Sequence, residues 1–466
     1  MRFIAIIAVS MCVASTVHSQ EGSPLVSFKH VEHLTETIRL EGEEVNIVHV
    51  YANYPDYEWV GAADSGEEGV ACVDDAARAA VVYLRHFELH HDKHSLARAK
   101  SLLKFVLHMQ ADNGEFYNFV YADHTINTQG RTSYKSFGWW ASRAFWALGH
   151  GYRVFRSVDA QFAARLKFAL DLALPHVEKL MGAYGNWDST SGYRTPRWLP
   201  YESGADVSSE LLLGLVELYR ADPDTVKRNL IEKISEGVIG MQDGDAVTFP
   251  FGLHRSWRTV WHAWGNSQTQ ALAYAGKALA QPAFIASAER EAVGFYSRLL
   301  ISGFLKEMDL AAPQKKVEFE QIAYCIRPMA LGLLRLYEAT SKDEYLTMAA
   351  LSASWFFGNN VAGVPMYDSS TGRCYDGIRD SSSVNRNSGA ESTIEALYVL
   401  TELERYPQTR KYLRYRKTQW GTTPEYLYAM FNDGSGNQLT LAIDLTSKKL
   451  LLLEGNESEE FQGKLR

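Results

Sequence analysis

Apolar side chains recur at three- and four-residue intervals through most of the chain after about residue 70, the pattern of helices with one buried face. Segments rich in glycine and aromatic residues separate these stretches. The predicted helices span residues 73–91, 95–110, 134–155, 159–181, 204–221, 223–240, 266–280, 283–302, 319–340, 343–357 and 389–405. The pattern therefore predicts a mainly helical chain.

Taken in order, these helices pair into hairpins whose first members begin near residues 74, 136, 206, 266, 321 and 391. The starts are about 55 to 70 residues apart, a longer period than that of the common short helical repeats. Each unit would be one helical hairpin followed by a long loop. Six such units predict an all-α fold over residues 67–420, an (α/α)6 toroid with two rings of helices.

Two segments with strand patterns flank the predicted toroid. The N-terminal edge segment, residues 20–66, contains the alternating run EEVNIVHVYAN, and an acidic loop follows at residues 64–68. The tail, residues 421–466, contains NQLTLAIDLTSKKLLLLEG, which predicts a β-hairpin of two strands joined at Thr446 and Ser447. Neither segment has enough apolar residues for its own core, so we expect both to pack on the toroid.

The first nineteen residues have the features of a cleaved signal peptide. Arg2 precedes an apolar run over residues 3–17, and the small residue Ser19 follows. We therefore expect an exported protein, periplasmic or extracellular. The apolar run is too short to remain as a membrane span, and no later segment of the sequence is long and apolar enough to be one.

Charge and cysteine content restrict the partners. The formal net charge is −8, or −9 once Arg2 is removed, and no basic block is present. Nucleic acid and anionic membranes are therefore not expected partners. Cys72, Cys325 and Cys374 lack the spacing of metal ligands, and a disulfide between Cys325 and Cys374 is the one weakly supported pair. We expect no cofactor and no metal.

Acidic residues begin three of the predicted inner helices. Asp74 and Asp75 lie in VACVDDAARAAVVYL, Asp206 lies in ESGADVSSELLLGL, and Glu391 lies in NSGAESTIEALYVL. The starts of inner helices share one end of a ring of hairpins, so these carboxylates would face a common cavity. Adjacent residues point about 100° apart on a helix, so Asp74 and Asp75 cannot both face it equally.

Structural roles explain the same acids. Carboxylates near a helix N-terminus interact favourably with the helix dipole, and Arg78 is placed to pair with Asp74 or Asp75. Ser388 and Glu391 have the spacing of a Ser-x-x-Glu capping box, and Asp206 follows a serine at the same spacing. The catalytic and the capping interpretations both remain open from the sequence.

Three motifs make the chain similar to the six-hairpin glycosidase superfamily. HMQADNGEFYNFV covers residues 108–120, WFFGNNVAGVPMYD covers residues 355–368, and CVDDAARA surrounds the paired aspartates. The last is also similar to Asp-Asp helix heads in members associated with bacterial carbohydrate metabolism. The resemblance covers about residues 50–410 and implies an (α/α)6 barrel. It is weak for substrate, because such barrels host inverting hydrolases, phosphorylases, epimerases and lyases.

Aromatic and polar residues at the helix heads and in the loops over residues 185–203 and 249–266 are candidates for substrate contacts, because aromatic rings stack on the C–H face of a pyranose. His254 and His262 are eight residues apart, not the four of a helical metal pair. The predicted substrate-binding residues are Trp139, Asp188, Trp198, Tyr201, Glu202, His254, Trp257, His262, Asn266, Tyr324, Arg327, Arg386 and Asn387.

Together, the acids and the resemblance predict an exported enzyme that hydrolyses glycosidic bonds of an oligo- or polysaccharide with inversion. Asp74, Asp75, Asp206 and Glu391 are the candidates for its acid and base. A polysaccharide lyase for a uronic-acid polymer is the alternative, with Tyr201, His254, His262 and Asn266 as its base and its uronate-neutralising group. A glycan-binding protein without activity is the third hypothesis. The sugar, the linkage and the oligomeric state remain open.

Overall fold

The computed structural model describes residues 24–63 and 68–465. The predicted signal peptide, residues 1–19, and most of the acidic loop at 64–68 lie outside these residues. Within the described ranges, no helix combines the length and the apolar character that a membrane span requires.

Fourteen α-helices are assigned within the described residues. In chain order they are α1 Lys29–His33, α2 Val73–His90, α3 Lys93–His108, α4 Trp139–Phe155, α5 Ala160–Leu180, α6 Ala205–Ala221, α7 Thr225–Ile239, α8 Gln268–Leu279, α9 Pro282–Glu291, α10 Ser297–Ser302, α11 Ala323–Thr340, α12 Asp343–Ala353, α13 Ala390–Glu404 and α14 Asn456–Leu465.

The helices form the predicted double ring. Helices α2, α4, α6, α8, α11 and α13 each pack on the next, and α13 packs back on α2 to close the inner ring. Helices α3, α5, α7, α9 and α12 pack outside the inner helices that precede them. A π-helical turn over Ala292–Tyr296 joins α9 to α10. The all-α toroid predicted from the sequence is confirmed.

The sixth hairpin lacks the α-helix expected as its outer member. A 3₁₀-helix, Pro407–Arg414, occupies that position and packs on α12 and α13. Pro407 has no N–H to donate, and its ring clashes with the preceding helical turn, so α13 ends at Glu404. The following residues are too polar to bury a long helical face.

The outer and inner helices begin in different ways. Aspartates cap three outer helices: Asp92 accepts from the Ser95 N–H at 3.0 Å, Asp159 from the Phe162 N–H at 3.0 Å, and Asp224 from the Lys227 N–H at 2.7 Å. No side chain of the N-cap residue caps any of the six inner helices within the described ranges. The acidic side chains in their first turns are therefore available for other contacts.

Short antiparallel strands occupy the long connections and the two termini. They are β1 Thr35–Leu40, β2 Glu43–Val48, β3 Tyr51–Asn53, β4 Glu58–Val60, β5 Ala71–Cys72, β6 Phe119–Val120, β7 Trp187–Thr190, β8 Tyr193–Pro196, β9 Val260–His262, β10 Glu307–Asp309, β11 Lys316–Val317, β12 Gln321–Ile322, β13 Tyr367–Asp368, β14 Arg373–Cys374, β15 Gly377–Asp380, β16 Ser383–Asn385, β17 Arg416–Thr422, β18 Tyr426–Asn432, β19 Gln438–Asp444 and β20 Leu450–Glu454.

Loop length differs between the two ends of the ring. Connections from an inner helix to its outer partner are short, as between α2 and α3 or α11 and α12. Connections from an outer helix to the next inner helix are long and contain β6 to β16. The long loops therefore all lie at the end where the inner helices begin.

The C-terminal tail is larger than the predicted hairpin. Strands β17 to β20 form a four-stranded antiparallel sheet in sequential order, and β17 begins before the expected boundary at residue 421. Three of these strands contact α10 on the barrel. Helix α14 packs on the sheet through Phe461, which contacts Tyr428 and Met430.

Two glycines set the distance between α4 and α6. A Cβ atom on Gly214 would lie 2.7 Å from the Cα atom of Trp146, and one on Gly149 would lie 2.7 Å from the carbonyl oxygen of Gly214. Real Cβ atoms do not approach backbone so closely. The two inner helices can therefore be this close only because both positions lack a side chain.

We expect Gly214→Ala to destabilise the protein, because the new methyl group forces α4 and α6 apart. Overpacking of this kind costs about 1–3 kcal/mol, which exceeds the roughly 1 kcal/mol that alanine gains in helix propensity. Gly463→Ala in α14 is the control, since nothing lies within 4 Å of its added Cβ atom. Urea denaturation of both variants measures the difference. Equal stability would contradict this account of the close approach.

Candidate active site at the heads of the inner helices

Asp74 lies in the first turn of α2, at the end of the ring where the inner helices begin, with 17% of its side chain exposed. We refer to the space that the heads of the six inner helices surround as the cavity. Arg143 of α4 donates to one carboxylate oxygen at 2.6 Å, and the Asn118 amide donates to the other at 3.0 Å. Two donors from different elements hold the carboxylate in one orientation. These contacts suit an anionic Asp74.

Asp75 points away from the cavity and is buried. It accepts from Arg78 at 2.7 Å and from the Cys72 thiol at 3.3 Å. Burial raises the pKa of Asp75 above its ordinary value, although Arg78 opposes this effect. The predicted divergence of the two aspartates therefore places Asp74 at the cavity and Asp75 behind it.

Glu391 begins α13 and stays open to the cavity, with 44% of its side chain exposed. Arg78 of the neighbouring α2 donates to its Oε2 atom at 3.2 Å. Enclosure of the carboxyl group by protein raises the pKa of Glu391; Asp75 and Glu395 add to this effect, and Arg78 opposes it. A carboxyl group of this kind holds its proton to higher pH than an ordinary glutamate.

The capping-box interpretation of Glu391 is wrong. Asp376, from the loop before α13, accepts from the Gly389 N–H at 2.9 Å and from the Ser392 hydroxyl at 2.7 Å. This distant carboxylate caps the helix, so Glu391 is left to pair with Arg78.

The matching interpretation of Asp206 is also wrong. The carbonyl oxygen of Ser256 accepts the N–H groups of Ala205 and Asp206 at 2.9 and 3.2 Å, and so satisfies the start of α6. One Asp206 oxygen accepts its neighbour's N–H, and the other lies 2.9 Å from Nε2 of His262.

His262 and Asp206 form a hydrogen-bonded pair. Nδ1 of His262 lies 2.7 Å from the carbonyl oxygen of Trp264, an acceptor only, so Nδ1 must carry hydrogen. The Nε2 contact with Asp206 then needs a proton on one of the two partners. The pair is almost fully buried beside the cavity, and the His262 ring stacks on Trp264 at 3.8 Å.

A buried polar network forms the floor of the cavity. Glu395 of α13 accepts from Arg78 at 2.9 Å and from Arg327 of α11 at 2.6 Å. Arg327 also donates to Glu210 of α6 at 3.0 Å and to Ser267, before α8, at 2.7 Å. Burial opposes ionisation of Arg327, but Glu395 and Glu210 raise its pKa well above the ordinary value.

Tyr324 completes this network from the head of α11. Its hydroxyl accepts from Arg143 at 2.6 Å and donates to Glu210 at 3.4 Å. The guanidinium groups of Arg78, Arg143 and Arg327 lie 4.8, 5.3 and 5.0 Å from its ring centre. Burial raises the pKa of Tyr324, so the hydroxyl keeps its proton. All six inner-helix units therefore contribute to one connected floor.

Aromatic side chains line the cavity above this floor. The rings of Trp139 and Trp264 are 5.5 Å apart and partly exposed. Tyr201 is half-exposed, and its hydroxyl lies against Gly138 at the head of α4. Trp257 is 38% exposed and donates to the Tyr201 carbonyl oxygen at 3.2 Å. These rings offer flat apolar faces beside the acids.

Asn266 belongs to the same side of the site. Its side-chain oxygen accepts from the Ser256 hydroxyl at 2.8 Å, and its buried amide nitrogen has no partner among the described residues. The preceding residue, Gly265, has a φ of +63°. A Cβ atom there would lie 2.9 Å from the Tyr324 hydroxyl and 3.1 Å from the Trp139 ring, so the loop needs glycine at this position.

Three predicted substrate contacts have side chains that are buried among other residues of the protein. His254 is fully buried between Glu291 and Ser287 of the outer ring, at 2.8 and 2.9 Å. Trp198 packs on Tyr184 and Trp187 and donates to the Lys233 carbonyl oxygen. Arg327 lies in the floor, with 1% of its side chain exposed.

Other predicted contacts lie in loops with exposed side chains. Asp188 is on the exposed β7–β8 hairpin, and Glu202 pairs with Arg197 at 3.2 Å. Arg386 is exposed near the Tyr54 ring, and Asn387 accepts from the Tyr54 N–H at 3.1 Å. Their contact with a substrate stays a prediction.

Cys72, Cys325 and Cys374 are all free and buried, so the weakly supported disulfide is wrong. Within residues 24–63 and 68–465, no group of three or more histidine, cysteine, aspartate or glutamate side chains could hold a metal ion.

Sequence reasoning missed Arg143, Glu210 and Glu395, and it treated Arg78 only as a local ion-pair partner. Each is a single charged residue inside an otherwise apolar stretch, which is a detectable signal. The spacing of charged residues is a second signal. They recur after seven positions in three inner helices, as Arg78 and Arg85, Glu210 and Glu217, and Glu395 and Glu402. Two helical turns return a side chain to the same face.

The fold is similar to that of two solved epimerases and an isomerase. It is similar to cellobiose 2-epimerase from Bacillus thermoamylovorans B4167, with a TM-score of 0.53 and 13% identity over 77% of this chain and 92% of that chain. A sugar epimerase from a ruminal bacterium has a TM-score of 0.52 and 13% identity, again over 77% of this chain and 92% of that chain. A D-mannose isomerase has a TM-score of 0.51 and 8% identity, over 77% of this chain and 91% of that chain.

These likenesses confirm the (α/α)6 toroid as the fold of this chain. No protein-family model and no curated protein sequence matches it.

We expect Arg327→Ala to destabilise the protein strongly, because it leaves Glu395 and Glu210 buried with fewer donors. Removing one partner of a buried ion pair costs about 3–5 kcal/mol. Arg197→Ala is the control, since it breaks an exposed pair with Glu202 and should cost about 0–1 kcal/mol. Chemical denaturation compares the two. A loss below about 1 kcal/mol for Arg327→Ala would show that the floor is not a stabilising network.

Proposed function

We propose that this protein is a carbohydrate-active enzyme that hydrolyses glycosidic bonds, with Glu391 as general acid and Asp74 as general base. One observation carries the proposal: two carboxyl groups from adjacent inner helices are both open to the cavity, and each is fixed by its own arginine. Acid/base cleavage of a glycosidic bond needs such a pair.

The surroundings of the two groups support different roles. The raised pKa of Glu391 favours the protonated form that a general acid needs. Asp74 accepts charge-assisted and amide hydrogen bonds, which favour the anion that a base needs. Inversion requires the two groups to be about 6.5–9.5 Å apart, with room for water between them.

The aromatic faces of Trp139, Trp264 and Tyr201 support a sugar as the ligand, since C–H faces of pyranoses stack on such rings. The epimerases and the isomerase with the same fold act on sugars by name, which agrees with this substrate class. Export through the predicted signal peptide belongs to the same proposal.

The arginines of the site disfavour the lyase alternative. A lyase needs a cation or amide to neutralise the uronate carboxylate. Arg78, Arg143 and Arg327 are each already bonded to carboxylates of the protein, which leaves the Asn266 amide, without a partner among the described residues, as the group for that role.

A sugar epimerase or isomerase is the second candidate. The hydrogen-bonded pair of His262 and Asp206 beside the cavity supports it, because these reactions move a proton next to a carbonyl group and need an acid/base residue there. Incubation with a glycan panel, followed by proton NMR, separates the candidates. New reducing ends support hydrolysis, a new epimer or ketose supports the second candidate, and an unsaturated product supports a lyase.

We expect Glu391→Gln and Asp74→Asn each to lower kcat by roughly 10²–10⁴-fold while sugar binding persists, because each removes a proton-transfer group. Asp343→Asn is the matched control, since Asp343 lies in the first turn of the outer helix α12. It should keep full activity. Unchanged turnover in both site variants would refute the assigned roles, and binding without any turnover by the wild type would support the glycan-binding hypothesis.

We also expect kcat/KM to fall as pH rises through the raised pKa of Glu391, because the general acid must be protonated and its protonated form is lost above that pKa. The fall approaches about tenfold per pH unit. A profile over about pH 4 to 9 checks this. The alkaline fall should vanish in the residual activity of Glu391→Gln. If that variant keeps it, another group is the acid.

A further inference from the structure

A second cavity, of 540 Å³, lies at the opposite end of the ring, where the inner helices end. Its lining includes the cationic side chains of Arg85, Arg220, Lys277, Arg335 and Arg405. We call it the distal cavity. It falls within the range of roughly 300–1,000 Å³ that is usual for small-molecule sites. Its cations come from α2, α6, α8 and α11 and from the residue after α13, so five of the six inner-helix units place them together.

A buried carboxylate explains some of these cations. Glu402 accepts from Arg85 at 3.0 Å, from Arg335 at 3.4 Å and from Arg405 at 3.1 Å. Arg335 also donates to Glu338 at 2.6 Å. Cations near the last turn of a helix further stabilise its dipole. Arg85 and Arg335 therefore have a structural role beneath the cavity.

Two cations are not explained in this way. Lys277 donates to the backbone carbonyl oxygen of Glu338 at 2.7 Å and forms no ion pair with the described residues. Arg220 is 43% exposed; one of its N–H groups donates to the Tyr274 hydroxyl, and its ion pair with Glu217 is long, at 3.8 Å. Glu217 already accepts from Arg153 and from the Tyr274 hydroxyl. Both cations therefore keep donors for another anion.

The numbers of cations and carboxylates around the distal cavity also favour binding of an anion. With Arg153 included and histidines neutral, the cavity and the network beneath it hold six cations. Their carboxylate partners are four: Glu88, Glu217, Glu338 and Glu402. The excess of positive charge, in a cavity formed partly by low-dielectric protein, attracts anions.

We propose that the distal cavity binds a small multivalent oxyanion, such as a phosphate or a dicarboxylate, with Lys277 and Arg220 as its direct contacts. Arginine and lysine form charge-assisted hydrogen bonds to such oxygens. This site is separate from the acids at the helix heads, so it stands whether or not the protein hydrolyses glycosides.

Isothermal titration calorimetry of the wild-type protein tests the proposal. The titrants are inorganic phosphate and malonate, with chloride at matched ionic strength as the reference. We expect saturable binding of at least one oxyanion and none of chloride. A preference for phosphate or for malonate identifies the anion class.

Lys277→Gln should raise Kd about tenfold, because it removes one charge-assisted contact. Lys277→Arg keeps the charge and should bind within a few-fold of the wild type. Lys29→Gln is the matched control, since Lys29 is also exposed and also donates to a backbone carbonyl oxygen, that of Ser370. Absence of saturable binding, or equal affinity in Lys277→Gln and Lys29→Gln, would overturn the proposal.

Discussion

The interior of the toroid depends on the pairing of buried charges across its axis. Arg78 and Arg327 both bond to Glu395, and Arg327 continues to Glu210. An unpaired charge at such a depth would cost several kcal/mol, so each of these groups requires the others. Since the partners belong to different helices, the ring geometry and the charge pairing specify each other. Ridge packing alone would tolerate small rotations of a helix, whereas these contacts do not.

The same buried charge pairs also fix the side chains of the candidate active site. Arg78 donates both to Glu395 in the floor and to Glu391 at the cavity, so a structural charge pair positions the proposed acid. Arg143 does the same for Asp74 through its bond to Tyr324. The site is therefore an exposed extension of the floor. The long loops at this end add aromatic faces and the pair of His262 with Asp206, and they can vary without altering the ring.

Local sequence pattern accounts for the elements, and distant contacts account for the site. The predicted inner helices begin within about five residues of the observed starts, because helical periodicity and buried alanines and leucines are local properties. The role of Glu391 was ambiguous because Asp376, which caps α13 in its place, lies in a separate loop. His254 and His262 are alike in sequence, and only their neighbours in the fold separate a buried structural histidine from one beside the cavity. The missing sixth outer helix followed from Pro407, a signal that the regular spacing of hairpins obscured.

Closure of the ring joins the two halves of the chain. Arg78 in α2 pairs with Glu391 and Glu395 in α13, which lie 313 and 317 residues later in the sequence. Helix α13, one of the two inner helices that contact α2, is therefore the last inner helix to be synthesised. Until α13 docks, Arg78 has Asp75 of its own helix as a counter-charge but lacks Glu391 and Glu395. Contacts of such sequence separation slow folding, and here they also make a partial ring unstable. We therefore expect completion of the toroid to be a late step of folding, after α13 has been synthesised.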